Sequence, residues 1–163
     1  MLNMTLVDPT DARILLALDD DPDASILALA RTLGLARNTV QARLNRLGRN
    51  GALRSFSHRV DPAALGYPLT AFVYISVSQE LGRLGAEGLA RIPEVIEIHS
   101  ITGDADFLAK VVARDTEDLY RVTNAMLGVA GVVRTNTSIS LVETMPTRLR
   151  ALLETAVDSG KTG

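Results

Sequence analysis

The chain has 163 residues, of which 47% are hydrophobic and 22% are charged, a composition typical of one medium globular domain or two small ones. It contains no cysteine, which excludes disulfides, thiolate metal sites and thiol nucleophiles, and no apolar run approaches the ~20 residues that span a bilayer. The net charge of -2 hides a division: residues 1–60 hold eight Arg against six Asp, whereas the remainder is acidic. A basic first part predicts an anionic partner for that part, in a cytoplasmic protein without a membrane partner.

Three helices are predicted within the first 50 residues. Asp8 can accept from the free backbone amides of a first helix, and the acidic run from Asp19 to Asp23 is predicted to be a solvated loop after it. Ser25 is a suitable N-cap for a second helix, which Gly34 interrupts. A third helix is predicted from Arg37 to Arg49.

The second and third predicted helices are joined only by "LGL", Leu33 to Leu35. Such a short linker sets one helix across the other, with Ala30 allowing close approach and Val40 filling the angle. This spacing is typical of a DNA-binding helix-turn-helix.

The segment from residue 31 to residue 59 carries seven Arg without one Asp or Glu. An Arg that neutralises a phosphate releases condensed counterions, whereas a nearby carboxylate would cancel the gain. The polar residues that can pair with base edges at the start of the third helix are Arg37, Asn38 and Gln41. The candidates for phosphate contacts are Arg31, Arg43, Arg46, Arg49 and Arg54. A basic face of a three-helix protein-binding module is the alternative.

The segment "ALRSFSHRV", residues 52–60, is predicted to be extended, and "DPAALGYP" reads as a connector between two domains. We therefore expect a helix-turn-helix domain over residues 1–60, a linker over 61–68, a second domain over 69–145, and a C-terminal helix and tail over 146–163.

The second domain is predicted to be a sheet with helices. "LTAFVYISVS" alternates with period two, and the elements that follow it give the order strand, helix, strand, strand, helix, strand. The first of these helices is expected from about Glu80 to Ile92, and Asp115 is expected to cap the second. This order predicts a ferredoxin-like βαββαβ sandwich, so the whole chain is assigned to the α+β class. Phe72 and Tyr74 would lie on the uncovered face of the sheet and favour self-association.

The turn "TGDAD" between the second and third strands has two interpretations. It is either an ordinary hairpin tip or a small-ligand pocket, in which amides near Gly103 receive a carboxylate while Asp104 or Asp106 receives an ammonium group. An amino acid would satisfy both requirements. Two carboxylates without a nearby His make a poor metal cage, and no nucleophile with a base is found, so no metal, cofactor or catalytic residue is expected.

Taken together, the chain resembles the Lrp/AsnC, or feast/famine, family of transcription regulators from Val7 to Glu143. The resemblance is carried by "VDPTDARILLAL", "LARTLGLARNTVQARLNRLGRNGALRSF", "DPAALGY" and "TGDADFLAKVVARD". It implies a winged-helix-like DNA-binding domain with a strand after the helix-turn-helix, followed by a ferredoxin-like effector domain. Ala36 departs from the family, which usually has Ser at this cap position.

The resemblance also implies partners and a ligand site. We expect a homodimer that assembles into tetramers, octamers or larger rings on a roughly palindromic double-stranded DNA operator, with an amino-acid effector bound between dimers. That site would be lined by Gly103, Asp104 and Asp106, with Thr137, Ser138 and Ser140 contributed from a neighbouring region or subunit. Two alternatives are a haem-pathway decarboxylase-like enzyme, which some relatives of the family are, and a metabolite sensor that does not bind DNA.

Overall fold

A computed structural model of the chain describes residues 6–78 and 80–159, with the side chains of residues 82 and 83 left out. The chain forms two compact units, one comprising the residues up to His58 together with those from Met145 onwards, and the other comprising Arg59–Thr144. The helices are α1 Pro9–Asp20, α2 Ile26–Leu33, α3 Arg37–Arg49, α4 Gly82–Leu89, α5 Thr116–Leu127 and α6 Arg150–Ser159. The strands are β1 Leu69–Val77, β2 Val95–Ser100, β3 Phe107–Ala113 and β4 Val132–Ile139.

The first unit is a helical cluster around a small apolar core. Ile14 of α1, Leu29 and Ala30 of α2, and Val40 of α3 are buried together. Gly34 has φ +66°, a left-handed conformation that favours glycine, and it lets the amide of Leu35 donate to the Ala30 carbonyl at 2.9 Å. The tight turn predicted between α2 and α3 is confirmed.

The caps of the three N-terminal helices differ in quality. Asp8 accepts from the amide of Asp11, whose side chain accepts in return from the Asp8 amide, so α1 begins with a reciprocal capping box. The Ser25 hydroxyl accepts from the Ala28 amide at 3.1 Å. Ala36 supplies no side-chain hydrogen bond to α3.

The prediction of a solvated acidic loop after α1 is wrong for its first two residues. Helix α1 continues through Asp19 and Asp20, because the C-terminal helix α6 packs against it. The guanidinium of Arg150 in α6 lies 3.0 Å from the Asp19 carboxylate and 2.7 Å from that of Asp20. A cation brought from the end of the chain thus balances two anions at the negative end of α1.

The extended segment predicted over residues 52–60, and with it a strand after α3, is also wrong. The chain turns after α3, where Gly51 has φ +76°, and Phe56–Arg59 form a 3-10 helix. Among the described residues of this unit there is no strand, so an extended segment here would have no partner for its backbone groups. Local hydrogen bonds take the place of strand pairing, such as that from the His58 amide to the Ser55 carbonyl at 3.1 Å.

The second unit is the predicted ferredoxin-like sandwich. Its four-stranded antiparallel sheet has the order β2-β3-β1-β4. Ala71, Val73 and Ile75 of β1 are fully buried, and the same core contains Leu89 of α4 and Met126 of α5. Alternation along β1 leaves the other face open, where Phe72 and Tyr74 are 38% and 43% exposed. Helix α4 is shorter than the predicted span from Glu80 to Ile92.

Candidate nucleic-acid interface and effector loop

Helix α3 has an exposed polar face and a buried apolar face. Val40 and Leu47 are fully buried, and Val40 belongs to the core that α3 shares with α1 and α2. The three predicted base readers, Arg37, Asn38 and Gln41, are all exposed. The structure therefore places these donors and acceptors in the first two turns of α3, where a duplex can reach them.

Asn45 extends this polar face, although the sequence analysis did not select it. Its Oδ1 accepts a hydrogen bond from Nε2 of Gln41 at 3.1 Å, and both residues are exposed. The signal that could have found it is spacing, because residues four apart are neighbours on a helix surface.

Arg43 and Arg46 are not the uncompensated charges that the sequence indicated. Nη1 of Arg43 lies 2.5 Å from Oδ2 of Asp8 and 2.8 Å from Oδ1 of Asp11, and Nη2 of Arg46 is paired with Oδ2 of Asp11. The carboxylates come from α1, more than 30 positions earlier in the chain, so a count of local acids misses them. We call these four residues the α1–α3 charge cluster.

The protonation of this cluster follows from its contacts. Partial burial tends to raise the pKa of the Asp8 carboxyl, but hydrogen bonds from the Arg43 guanidinium and the Asp11 amide outweigh it, and that pKa lies below its usual value. The same hydrogen bonds to Asp8 and Asp11 raise the pKa of Arg43. In the cluster, two carboxylates lie against two guanidinium groups.

The remaining predicted phosphate contacts have a different environment. Arg31, Arg49 and Arg54 are exposed, as is the base-reading candidate Arg37. Within residues 6–78 and 80–159, no carboxylate forms an ion pair with any of these four. The full charge of the predicted DNA-facing set thus lies with them.

The loop between β2 and β3 carries the predicted effector residues. Gly103 has φ +115°, which glycine adopts at low cost, and Gly103 and Asp104 are exposed. Asp106 is tied to the end of β1, since its amide donates to the Ile75 carbonyl at 3.0 Å and its Oδ2 accepts from the Val77 amide at 2.9 Å. One carboxylate oxygen of Asp106 thus has a structural role that the sequence did not reveal.

The residues predicted on β4 lie away from this loop within one chain. Thr137 pairs with Val73 and Ser138 with Phe72, and the Ser140 amide donates to the Thr70 carbonyl at 2.9 Å. Asp106 bonds to Val77, which lies seven residues beyond Thr70 along β1. This separation corresponds to roughly 23 Å at ~3.3 Å per residue. A single subunit therefore does not bring Ser140 and Asp106 to one small ligand.

Two other kinds of site find no support in the described part of the chain. It holds no group of three His, Cys, Asp or Glu residues placed to bind a metal ion. None of its helices is long and apolar enough to cross a membrane.

The fold and these surfaces define a DNA-binding transcriptional regulator with a separate ligand-binding domain. Residues 7–54 match the winged helix-turn-helix DNA-binding family, and residues 70–149 match the Lrp/AsnC ligand binding domain. The chain belongs to the Lrp/AsnC family.

Relatives of known name agree with this assignment. The HTH-type transcriptional regulator AldR of Mycolicibacterium smegmatis is 38% identical over 132 residues, which are 77% of each chain. The HTH-type transcriptional regulator FL11 of Pyrococcus horikoshii is 31% identical over 135 residues, covering 83% of this chain and 89% of that protein. Among solved structures, the feast or famine regulatory protein from M. tuberculosis complexed with L-methionine superposes with a TM-score of 0.76 at 28% identity, covering 86% of this chain and 97% of that one.

Proposed function

We propose that this chain is a sequence-specific regulator that binds a roughly palindromic operator as a homodimer or larger assembly and responds to an amino acid. The observation that carries the proposal is the exposed polar face of α3, which is held by buried Val40 and Leu47. Since its partner is chromosomal DNA, we place it in the cytoplasm, where it works by binding and not by catalysis.

The DNA contacts divide into two kinds. Arg37, Asn38 and Gln41 would read base edges, because Arg pairs with guanine and Asn or Gln with adenine. The candidates for phosphate are Arg31, Arg43, Arg46, Arg49 and Arg54, of which Arg43 and Arg46 are balanced by the carboxylates of Asp8 and Asp11. Two such helices in a dimer would contact half-sites about 10 base pairs apart, or a multiple of that.

The assembly would use the open face of the sheet. Phe72 and Tyr74 are large side chains that water reaches on one side of β1, and two sheets that cover each other would bury them. Dimers formed in this way would associate further into tetramers, octamers or larger rings.

The effector would be an amino acid bound between dimers. The exposed residues Gly103, Asp104 and Asp106 offer amides and negative charge to its two ends. Because Ser140, just after β4, lies far along β1 from this loop, it would be supplied by another subunit, and Thr137 and Ser138 would come from a neighbouring region or subunit. The related M. tuberculosis protein crystallised with L-methionine supports this ligand class. The ligand would shift the assembly only if it binds one state more tightly than another.

Two measurements test the proposal. Selection from a pool of random duplexes should enrich one motif with two related half-sites; a pool that stays random would contradict sequence-specific reading. A thermal-shift screen with the twenty amino acids should raise the melting temperature for a small subset, since a ligand that binds the folded state stabilises it by mass action. A screen in which no amino acid raises the melting temperature would contradict the amino-acid effector. It would not bear on the proposed DNA binding.

A further inference from the structure

The α1–α3 charge cluster lies beside Asn38, one of the predicted base-reading residues. Arg43 and Arg46 line the same shallow groove as Asn38 and Thr39 on the outer side of α3. Asp11 is fully buried, whereas Asp8 and Arg46 are 41% and 48% exposed at their side chains. One edge of the cluster thus faces the solvent that DNA would displace.

The positive and negative charges of the cluster cancel, which lowers the affinity of this surface for a polyanion such as DNA. An unpaired Arg here would add about one phosphate contact, and each such contact steepens the dependence of log K on log salt by about 0.9. Asp8 and Asp11 remove that gain from two of the five candidate phosphate contacts. The carboxylates weaken binding to any DNA sequence alike, because a phosphate carries no sequence information.

Anchoring of α3 accounts for Asp11 but not for Asp8. Asp11 is buried and contacts both guanidinium groups, so it joins α1 to α3 without help. Capping of α1 does not require the charge of Asp8 either, since Asn caps a helix as well as Asp does. Asp8→Asn therefore keeps the cap while it removes a charge that also stabilises the positive end of α1 and the ion pair with Arg43.

We propose that Asp8 sets the strength of DNA binding, because its carboxylate withholds Arg43 and Arg46 from phosphate and so weakens binding to operator and random DNA alike. Specificity is the ratio of operator affinity to random-DNA affinity, and it stays with the base-reading residues because both affinities lose the same phosphate contacts. The inference rests on the proposed DNA-facing side of α3.

The test uses the full chain and a labelled random-sequence duplex of about 30 base pairs, titrated between about 50 and 200 mM KCl. Asp8→Asn should steepen the salt slope by about 0.9 and raise random-DNA affinity roughly fivefold to tenfold. Operator affinity should rise by the same factor, because the base-reading contacts are unchanged. The double variant Asp8→Asn/Arg46→Gln, which restores neutrality, should return the slope to that of the wild type.

Asp19→Asn is the matched control, because it removes one negative charge from the other end of the same helix. An equal steepening in Asp19→Asn would show a bulk charge effect and overturn the role of Asp8, as would an unchanged slope in Asp8→Asn. If the wild type itself bound random DNA without salt dependence, the proposed DNA-facing side would fail instead. Circular dichroism melting of each variant shows whether the fold is intact, and a slope that the double variant does not restore would also contradict the inference.

Discussion

The carboxylate of Asp106 accepts a hydrogen bond from the backbone amide of Val77 at 2.9 Å, joining the effector loop to the last residue of β1. The Asp106 amide donates to the Ile75 carbonyl in the same strand. A variant that tests ligand binding at this position must therefore keep the acceptor while it removes the charge.

Asp106→Asn should abolish the thermal shift caused by the amino-acid effector, because the amide cannot neutralise an ammonium group. Its own melting temperature should stay close to that of the wild type, since the Asn oxygen can still accept from Val77. Glu117→Gln, at an exposed position on α5 outside the proposed site, is the control for lost charge. A full effector response in Asp106→Asn would remove this carboxylate from the site.

Arg37→Ala should relax the preference at one base pair of the operator by ~1 to 3 kcal/mol, because a bidentate Arg pair carries that much discrimination. Arg31→Ala, at an exposed position on α2, should weaken operator and random DNA by the same factor. Competition binding against a panel of single-base operator changes measures both. Equal losses on all DNA for Arg37→Ala would contradict its role in base reading.

Ala36→Ser should raise the free energy of unfolding by about 1 kcal/mol, because it supplies the missing cap of α3. Ala36 has φ -69° and ψ 141°, close to the φ -68° and ψ 155° at which Ser25 caps α2, so the backbone is already suited to it. Ser25→Ala should lower the same quantity by about 0.5 to 2 kcal/mol. Urea unfolding measures both changes. An unchanged free energy of unfolding in Ala36→Ser would show that the α3 amides are satisfied in another way.

Leu47→Ala should lower the free energy of unfolding by about 2 to 5 kcal/mol, because the side chain is fully buried and its removal leaves a cavity. The control Leu27→Ala, at a position 47% exposed, should change it by less than about 0.5 kcal/mol. Urea unfolding of the two variants compares them directly. Similar losses at both positions would contradict the burial of α3.

The stabilising effect of the Asp8 charge should disappear in acid. The folded pKa of Asp8 is depressed, so its contribution is complete above the unfolded pKa of about 3.9 and is lost as the pH falls through the lower folded value. The difference in unfolding free energy between wild type and Asp8→Asn should therefore be largest at neutral pH and vanish in strong acid. Urea titrations over that range measure it, and a difference independent of pH would contradict the ion pair.

Much of the fold could be predicted from the sequence, because its signals are local. Period-two alternation gave β1, and the α2–α3 turn followed from Gly34. The errors came from contacts between distant positions. Arg150 extends α1 through Asp20, and the segment after α3 is not a strand because the described residues of its unit offer no strand to pair with.

The candidate site shows the same limit. Exposure of Arg37, Asn38 and Gln41 followed from helical spacing around Val40. The pairing of Arg43 with Asp8, 35 positions away, could not be read from composition, since a segment without acids can still meet acids in space.

Helix α6 has a consequence for how this protein could be cut or recombined. Because residues 150–159 pack on α1, the helical unit is assembled from both ends of the chain, with the sheet unit inserted between them. A fragment that stops near residue 60 would lack the Arg150 partner of Asp19 and Asp20. Both matched family segments end by residue 149, so α6 lies outside them. Transferring the helical unit to another sensor domain would therefore require two junctions. A chimaera made with one junction would lack α6, and the surface of α1 that α6 covers would be exposed.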